Sequence, residues 1–258
     1  MTTLDILNLQ VNAKYLKGLL NQDWNNPFIS IGEIVKLCAP RIEKRQERFA
    51  KLQALAIQIA EDIARTEKVL YVDLELSSKQ FQMRYSDIST GEIHIFPANF
   101  TRAEIDPELI VGADLEHEIL AYIEEAAVQG TRFFVIDNIT FICNDSEKGA
   151  TAGSFMMRLI RLKKKYGLTT VVIAHTPKRR AWEPITQNDL AGSAKLINFF
   201  DAGIALARSA KDNNLRYLKQ VKVRTGEYRY DAENVIIFDV SKTSGFLKFE
   251  IQGYGRES

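Results

Sequence analysis

The stretch LCAPRIEKRQERFAKLQALAIQIA, residues 37–60, joins an apolar strand directly to a long amphipathic helix. Pro40 suits a first helical position, and the Arg, Glu, Lys and Gln residues that follow are good helix formers. Apolar residues recur on one face of this helix, at Ile42, Phe49, Leu52, Ala56, Ile59 and Ile63. The stretch therefore predicts a strand followed by a helix over residues 40–65, which is the opening unit of an α/β fold.

The rest of the chain continues this alternation. The apolar runs KVLYVDLE, EIHIFPA, TRFFVID and TTVVIA are predicted strands, and helices are predicted to begin at Ser77, Asp114 and Thr151. Such strands between amphipathic helices are typical of a parallel sheet covered on both faces. From Asp201 onward, four short strands bounded by turn residues predict antiparallel strands that extend the same sheet. The predicted class is a three-layer α/β fold with a mostly parallel central sheet and antiparallel C-terminal strands.

Composition narrows the function classes. The 258 residues carry a formal charge of +1, so binding to nucleic acid would have to come from a local basic cluster. Cys38 and Cys143 lack the spacing of a zinc site or a disulfide framework. The first residues, MTTLDILNLQ, do not resemble a secretory signal, and no apolar run approaches the ~20 residues of a membrane span. We expect a cytoplasmic protein that does not enter membranes.

Two regions are predicted. Residues 1–32 form an N-terminal arm, with an amphipathic helix over residues 4–20 and a turn-rich linker containing Pro27 and Gly32. Residues 33–258 form one α/β domain, which is an ordinary size for a single hydrophobic core.

Polar residues stand at the ends of four predicted strands. They are Asp73 with Glu75, Asp137 with Asn138, His175, and Lys222 with Arg224 before a hairpin. Ligands of open α/β sheets bind beyond the carboxyl ends of the strands. Each residue alone also fits an ordinary role, since an Asp such as Asp137 is often a helix cap. Their order along the chain favours a binding site.

In that order, these segments resemble the RecA-like ATPase core of DnaB-type hexameric helicases and, more closely, of RepA-like AAA ATPases of plasmids and mobile elements. VLYVDLELSSKQFQMRY is similar to the segment after the phosphate-loop helix, RFFVIDNI to a Walker B strand, and VVIAHTPK to the sensor strand. KVRTG matches a Lys-x-Arg-x-Gly pattern. The resemblance covers roughly residues 33–238 and implies ATP and magnesium as cofactors.

The resemblance also implies roles for individual residues. Glu75 would polarise the attacking water, Asp137 would hold magnesium through water, and His175 would sit near the γ-phosphate. Lys222 and Arg224 would reach into the nucleotide of a neighbouring subunit. The implied partners are therefore further copies of this chain or a related ATPase subunit, acting in replication or mobilisation of a plasmid or mobile element.

The phosphate loop departs from that pattern. A GxxxxGK[ST] loop needs glycines, because its backbone amides wrap the phosphates, together with one Lys and one hydroxyl. Alignment without a gap places Arg45, Gln46 and Glu47 where Gly-Lys-Thr is expected, and a small shift places Lys44 at the lysine position. Either register loses the glycine and the hydroxyl. We therefore expect a degenerate loop with weak or absent ATP binding.

Two alternatives remain open from the sequence. In one, Lys44 or a neighbouring basic residue replaces the missing lysine, and the chain is an active but atypical ATPase or helicase. In the other, the chain is a non-catalytic assembly module that offers Lys222 and Arg224 to the nucleotide of a partner ATPase.

A basic loop is the candidate for binding single-stranded DNA. In HTPKRRAWEPITQND, a base could stack on Trp182 while the neighbouring cations Lys178, Arg179 and Arg180 meet phosphates. The near-zero net charge favours the simpler interpretation, a solvated loop whose Trp packs locally.

Overall fold

The computed structural model describes most of the chain from the first strand onward. The described residues are 34–39, 45–87, 89–105, 115–139, 142, 149–175, 183–187, 196–209, 215–224, 226–243 and 245–257. The predicted N-terminal arm and the connection at residues 40–44 lie outside the described residues.

A nine-stranded sheet forms the centre of the described structure. Its strands are β1 (Ile34–Ala39), β2 (Val69–Asp73), β3 (Phe100–Glu104), β4 (Phe133–Asp137), β5 (Thr169–His175), β6 (Ala202–Arg208), β7 (Arg216–Val223), β8 (Val235–Thr243) and β9 (Phe246–Gly255). Their spatial order is β3-β2-β4-β5-β1-β6-β7-β8-β9. Neighbours from β3 across to β6 are parallel, and the pairs beyond β6 are antiparallel. The predicted fold class is confirmed.

Helices cover both faces of this sheet. They are α1 (Arg45–Ala64), α2 (Ser78–Arg84), α3 (Leu115–Val128) and α4 (Gly149–Tyr166). Successive residues of β4 divide between the faces, because side chains alternate along a strand: Phe133 and Val135 pack with α1, whereas Phe134 and Ile136 pack with α3 and α4. None of the helices in the described part of the chain is long and apolar enough to cross a bilayer.

Helix α1 is enclosed on nearly every side. From position 52 to its end, all its residues are buried except Glu61, which is half-buried. Gln58 accepts a hydrogen bond from the Phe249 amide of β9 (2.9 Å) and donates one to the Phe249 carbonyl (3.4 Å). This contact satisfies a buried amide and covers the middle of an edge strand. The helix begins at Arg45, and the predicted earlier start at Pro40 lies outside the described residues.

One local prediction was wrong, and another holds for only one side of a strand. EIHIFPA is not a strand, because the segment makes only an isolated bridge between Ile93 and Ser86, and β3 begins after the turn that follows Pro97. The residue pattern of this segment reflects side-chain packing and not strand pairing. Ile95 is 88% exposed, while Phe96 packs against other aromatic rings. The strand β6 was expected to be antiparallel; it is antiparallel to β7, but its other neighbour, β1, is parallel to it. The long connection after β5 allows the crossover that a parallel strand requires.

Candidate functional site

The carboxyl edge of the parallel strands gathers the predicted acidic residues. Asp73 of β2 and Asp137 of β4 are direct register partners, and Glu104 of β3 is the partner of Asp73 on the other side. His175 ends β5 opposite Ala39 of β1, while its side chain lies outside the described part. The edge therefore carries a row of acidic groups at the place where ligands of such sheets bind.

Asp137 is fully buried and is bound by neutral donors. Gln53 Nε2 of α1 and the Tyr71 hydroxyl of β2 both donate to Asp137 Oδ2, each at 2.6 Å. Arg84 at the end of α2 donates to the side-chain oxygen of Gln53, which fixes the orientation of its amide. Burial, followed by the charge of Asp73, raises the pKa of Asp137. These four side chains form a polar network that connects α1, α2, β2 and β4.

Glu75 lies beside this network and is bound by Asn138. Asn138 Nδ2 donates to Glu75 Oε2 at 2.7 Å. Burial, followed by the negative charge of Asp137, raises the pKa of Glu75 to about 8. A carboxyl group with that pKa is mostly protonated at neutral pH, and roughly a tenth of it is ionised at pH 7. The general-base role implied for Glu75 stays a prediction.

Asp73 shapes the turn that carries Glu75. Its Oδ1 accepts from the backbone amides of Glu75 (3.0 Å) and Leu76 (2.8 Å), while Oδ2 accepts from Arg102 Nε of β3 (2.9 Å). Helix α2 then begins with a capping box, in which Ser77 and Gln80 each bond the backbone of the other. Asp73 is therefore saturated by the chain itself and positions the neighbouring residues.

Sequence reasoning missed Gln53, Tyr71, Arg84 and Arg102 as members of this edge. A signal existed for Gln53, because an amide in the long apolar run of α1 must find a buried partner. Which partner it meets depends on how α1 packs against the sheet, and a one-dimensional pattern does not give that.

The surroundings of Asp137 do not fit a magnesium ion as they stand. Where a phosphate loop opens a helix, magnesium lies between the loop hydroxyl and the Walker B carboxylate. Here the α1 side chain that meets Asp137 is the Gln53 amide, which presents a hydrogen-bond donor to Oδ2. The misfit lies in this donor, since Asp137 Oδ1 is buried and has no partner in the described residues. Those residues also contain no cluster of three His, Cys, Asp or Glu side chains suited to a metal ion.

Lys222 and Arg224 lie at the other edge of the sheet. The strand β7 is antiparallel to β6, and Val223 pairs with Ala202 at the start of β6. The end of β7 is therefore on the side where the parallel strands begin, opposite Asp137. Gly226, with a φ of 102° that glycine readily adopts, follows Arg224 in the turn. Within one chain, these two cations cannot act on a ligand bound at the acidic edge.

Only some of the remaining predicted site residues lie among the described residues. Arg45, Gln46 and Glu47 form the first turn of α1, and nothing is described of their side chains. Lys44 and the basic-loop residues Lys178, Arg179, Arg180 and Trp182 lie outside the described residues.

The fold is that of a RecA-like core, and comparisons with known proteins agree with this fold. Residues 54–181, just under half of the chain, match the family model of an AAA domain. A KaiC-like protein from the hyperthermophilic archaeon Pyrococcus horikoshii is similar at 15% identity over 86% of this chain and 91% of that one, with a TM-score of 0.59. The RadB recombinase is similar at 16% identity over 93% of this chain and 98% of that one, also with a TM-score of 0.59. No curated protein sequence matches the chain.

Proposed function

We propose that the chain is a cytoplasmic RecA-like protein of the RepA/DnaB type, acting in replication or mobilisation of plasmid or mobile-element DNA, with a degenerate ATP site. Its nucleotide affinity is weak or absent. The likeness in fold to a protein named as a recombinase supports a role on DNA. The AAA-domain match supports an ATPase ancestry, and it begins at residue 54, after the segment where a phosphate loop would end.

The contact between Gln53 and Asp137 carries this proposal. In a working site, the residue that meets the Walker B carboxylate belongs to the first turn of the helix, so the helix N-terminus faces the phosphates. Gln53 is preceded in α1 by residues 45–52, which make roughly two helical turns. The free amides at the N-terminus of α1 therefore lie about two helical turns away from the side chain that meets Asp137, where they cannot cradle a polyphosphate at that carboxylate.

Isothermal titration with ATP and magnesium tests the proposal. We expect no binding in the low-micromolar range and no rise in melting temperature, since only a ligand that binds the native state stabilises it. Low-micromolar binding that is lost in Asp137→Asn would refute the proposal. Phosphate release that disappears in Glu75→Gln would instead establish the active, atypical ATPase.

A second candidate, the assembly module, is supported by the position of Lys222 and Arg224 opposite the acidic edge. Cations at that edge can serve only a nucleotide held by another subunit, either a further copy or a related ATPase. Co-purification with such an ATPase should be lost in the double variant Lys222→Ala, Arg224→Ala. Co-purification that survives in the double variant would exclude these residues as the contact.

The basic loop gives a separate test of DNA binding. If Lys178, Arg179, Arg180 and Trp182 bind single-stranded DNA, affinity should fall steeply with salt and should drop in Arg179→Ala. Binding that does not depend on salt would exclude this loop as the DNA contact.

A further inference from the structure

Asp201, just before β6, is a buried carboxylate that binds two cations. Arg224 Nη1 donates to Asp201 Oδ1 at 2.6 Å, and Lys163 Nζ of α4 donates to Oδ2 at 2.7 Å. Arg224 also donates through Nη2 to the Asn198 carbonyl at 2.6 Å. The guanidinium is thus bound by one carboxylate and by one carbonyl of the 3-10 helix Leu196–Phe199.

Lys222 is bound to the same 3-10 helix. Its Nζ donates to the Ile197 carbonyl at 2.5 Å. Burial, followed by the positive charge of Arg224, lowers the pKa of Lys222. Two positions apart at the end of one strand, Lys222 and Arg224 share a face and repel each other. An anion placed between them would relieve that repulsion.

The two cations on Asp201 are not equally fixed. The Arg224 side chain is 50% exposed, whereas Lys163 is 19% exposed. If Arg224 left, Asp201 would keep Lys163, so no buried carboxylate would be left without a cation. The Asn198 carbonyl belongs to an exposed residue and can be hydrated instead. The free-energy cost of moving Arg224 away from Asp201 is therefore small.

We propose that Asp201 is an internal competitor at this edge, which holds Arg224 until a phosphate-bearing group of another molecule displaces it. This rests on the assembly role proposed above. The added observations are the contacts within the chain. Asp201 and Asn198 bind Arg224, Ile197 binds Lys222, and Lys163 stays on Asp201 when Arg224 leaves.

Tripolyphosphate without magnesium is the probe, titrated into the full chain by calorimetry. Asp201→Asn should bind it about tenfold more tightly than the parent chain, because a neutral amide holds Arg224 less strongly. Arg224→Ala should bind at least about tenfold more weakly. Lys165→Ala is the matched control and should bind like the parent chain, since Lys165 pairs with Glu124 of α3 on another surface. Equal affinities for the parent chain, Asp201→Asn and Arg224→Ala would overturn the proposal.

A second measurement needs no variant and covers the case in which Asp201→Asn does not fold. Tripolyphosphate added to the parent chain should increase amide hydrogen exchange in the 3-10 helix Leu196–Phe199, because the helix loses its contact with Arg224 and opens more readily. Unchanged or slower exchange at saturating probe would contradict the displacement of Arg224. Because neither experiment contains ATP or magnesium, a negative result here does not bear on the degenerate site at Asp137.

Discussion

Two buried aspartates at opposite edges of the sheet are stabilised in different ways. Asp137 accepts from an amide and a phenol, which are neutral donors, whereas Asp201 accepts from Arg224 and Lys163, which are cations. Neutral donors position a carboxylate without cancelling its charge, so burial raises its pKa. Cations compensate the negative charge of Asp201, and one of its two cations, Arg224, can leave while Lys163 stays bound. The acidic edge is therefore fixed by its own network, while the opposite edge has a group that can be released.

Removing Glu257 should give the largest change in stability. This buried carboxylate, which follows β9, accepts from Lys219 Nζ (2.5 Å), the Tyr217 hydroxyl (2.5 Å) and the Ile185 amide (3.1 Å). Because Lys219 is also buried, Glu257→Ala leaves an unpaired buried charge and should lower the free energy of unfolding by about 4 kcal/mol in urea denaturation. In the control Glu233→Ala, which breaks an exposed pair with Arg256, the change should stay within about 0.5 kcal/mol.

Removing the Gln53 amide should have the next largest effect. Gln53→Leu takes one donor from Asp137 and leaves Arg84 without its acceptor, so the free energy of unfolding should fall by about 2–3 kcal/mol. The exposed Gln129→Leu is the control and should change it by less than about 0.5 kcal/mol. An equally small change in Gln53→Leu would show that the network does not stabilise the acidic edge.

The raised pKa of Glu75 predicts a specific dependence on pH. Below about pH 4.5, the carboxyl is protonated in both the folded and unfolded chains, so it contributes no difference. Between about 4.5 and 8, only the unfolded chain ionises, so stability falls as pH rises, by up to about 1.4 kcal/mol per pH unit. Glu75→Gln should make the fall shallower, with the part due to the raised pKa of Asp137 still present, and should be more stable than the parent chain at pH 8. Parallel stability curves from pH 5 to 8 would contradict the raised pKa.

The smallest effect is expected for Arg224. Since its side chain is half exposed and Lys163 stays on Asp201, Arg224→Ala should lower the free energy of unfolding by less than about 1 kcal/mol. A loss as large as that in Gln53→Leu would remove the distinction between the two edges and would assign Arg224 a structural role.

The strand-end pattern located part of the candidate site. Asp73, Glu75 and Asp137 could be placed together from the sequence because the carboxyl ends of parallel strands share one edge. Lys222 and Arg224 also end a strand, but the direction of β7 relative to β6 decides their edge, and hairpin pairing sets that direction. Helix and strand types were predictable where the apolar period was long. EIHIFPA failed because alternation records which side chains are buried and does not record backbone pairing.

The place of β1 between β5 and β6 has a consequence for synthesis. Although β1 is the earliest described strand, both of its neighbours come from the second half of the chain. Roughly 7 to 26 seconds of translation separate β1 from β5 at ordinary rates of elongation. During that interval this apolar strand has no native neighbour to pair with, so the nascent chain exposes a segment of the kind that chaperones bind.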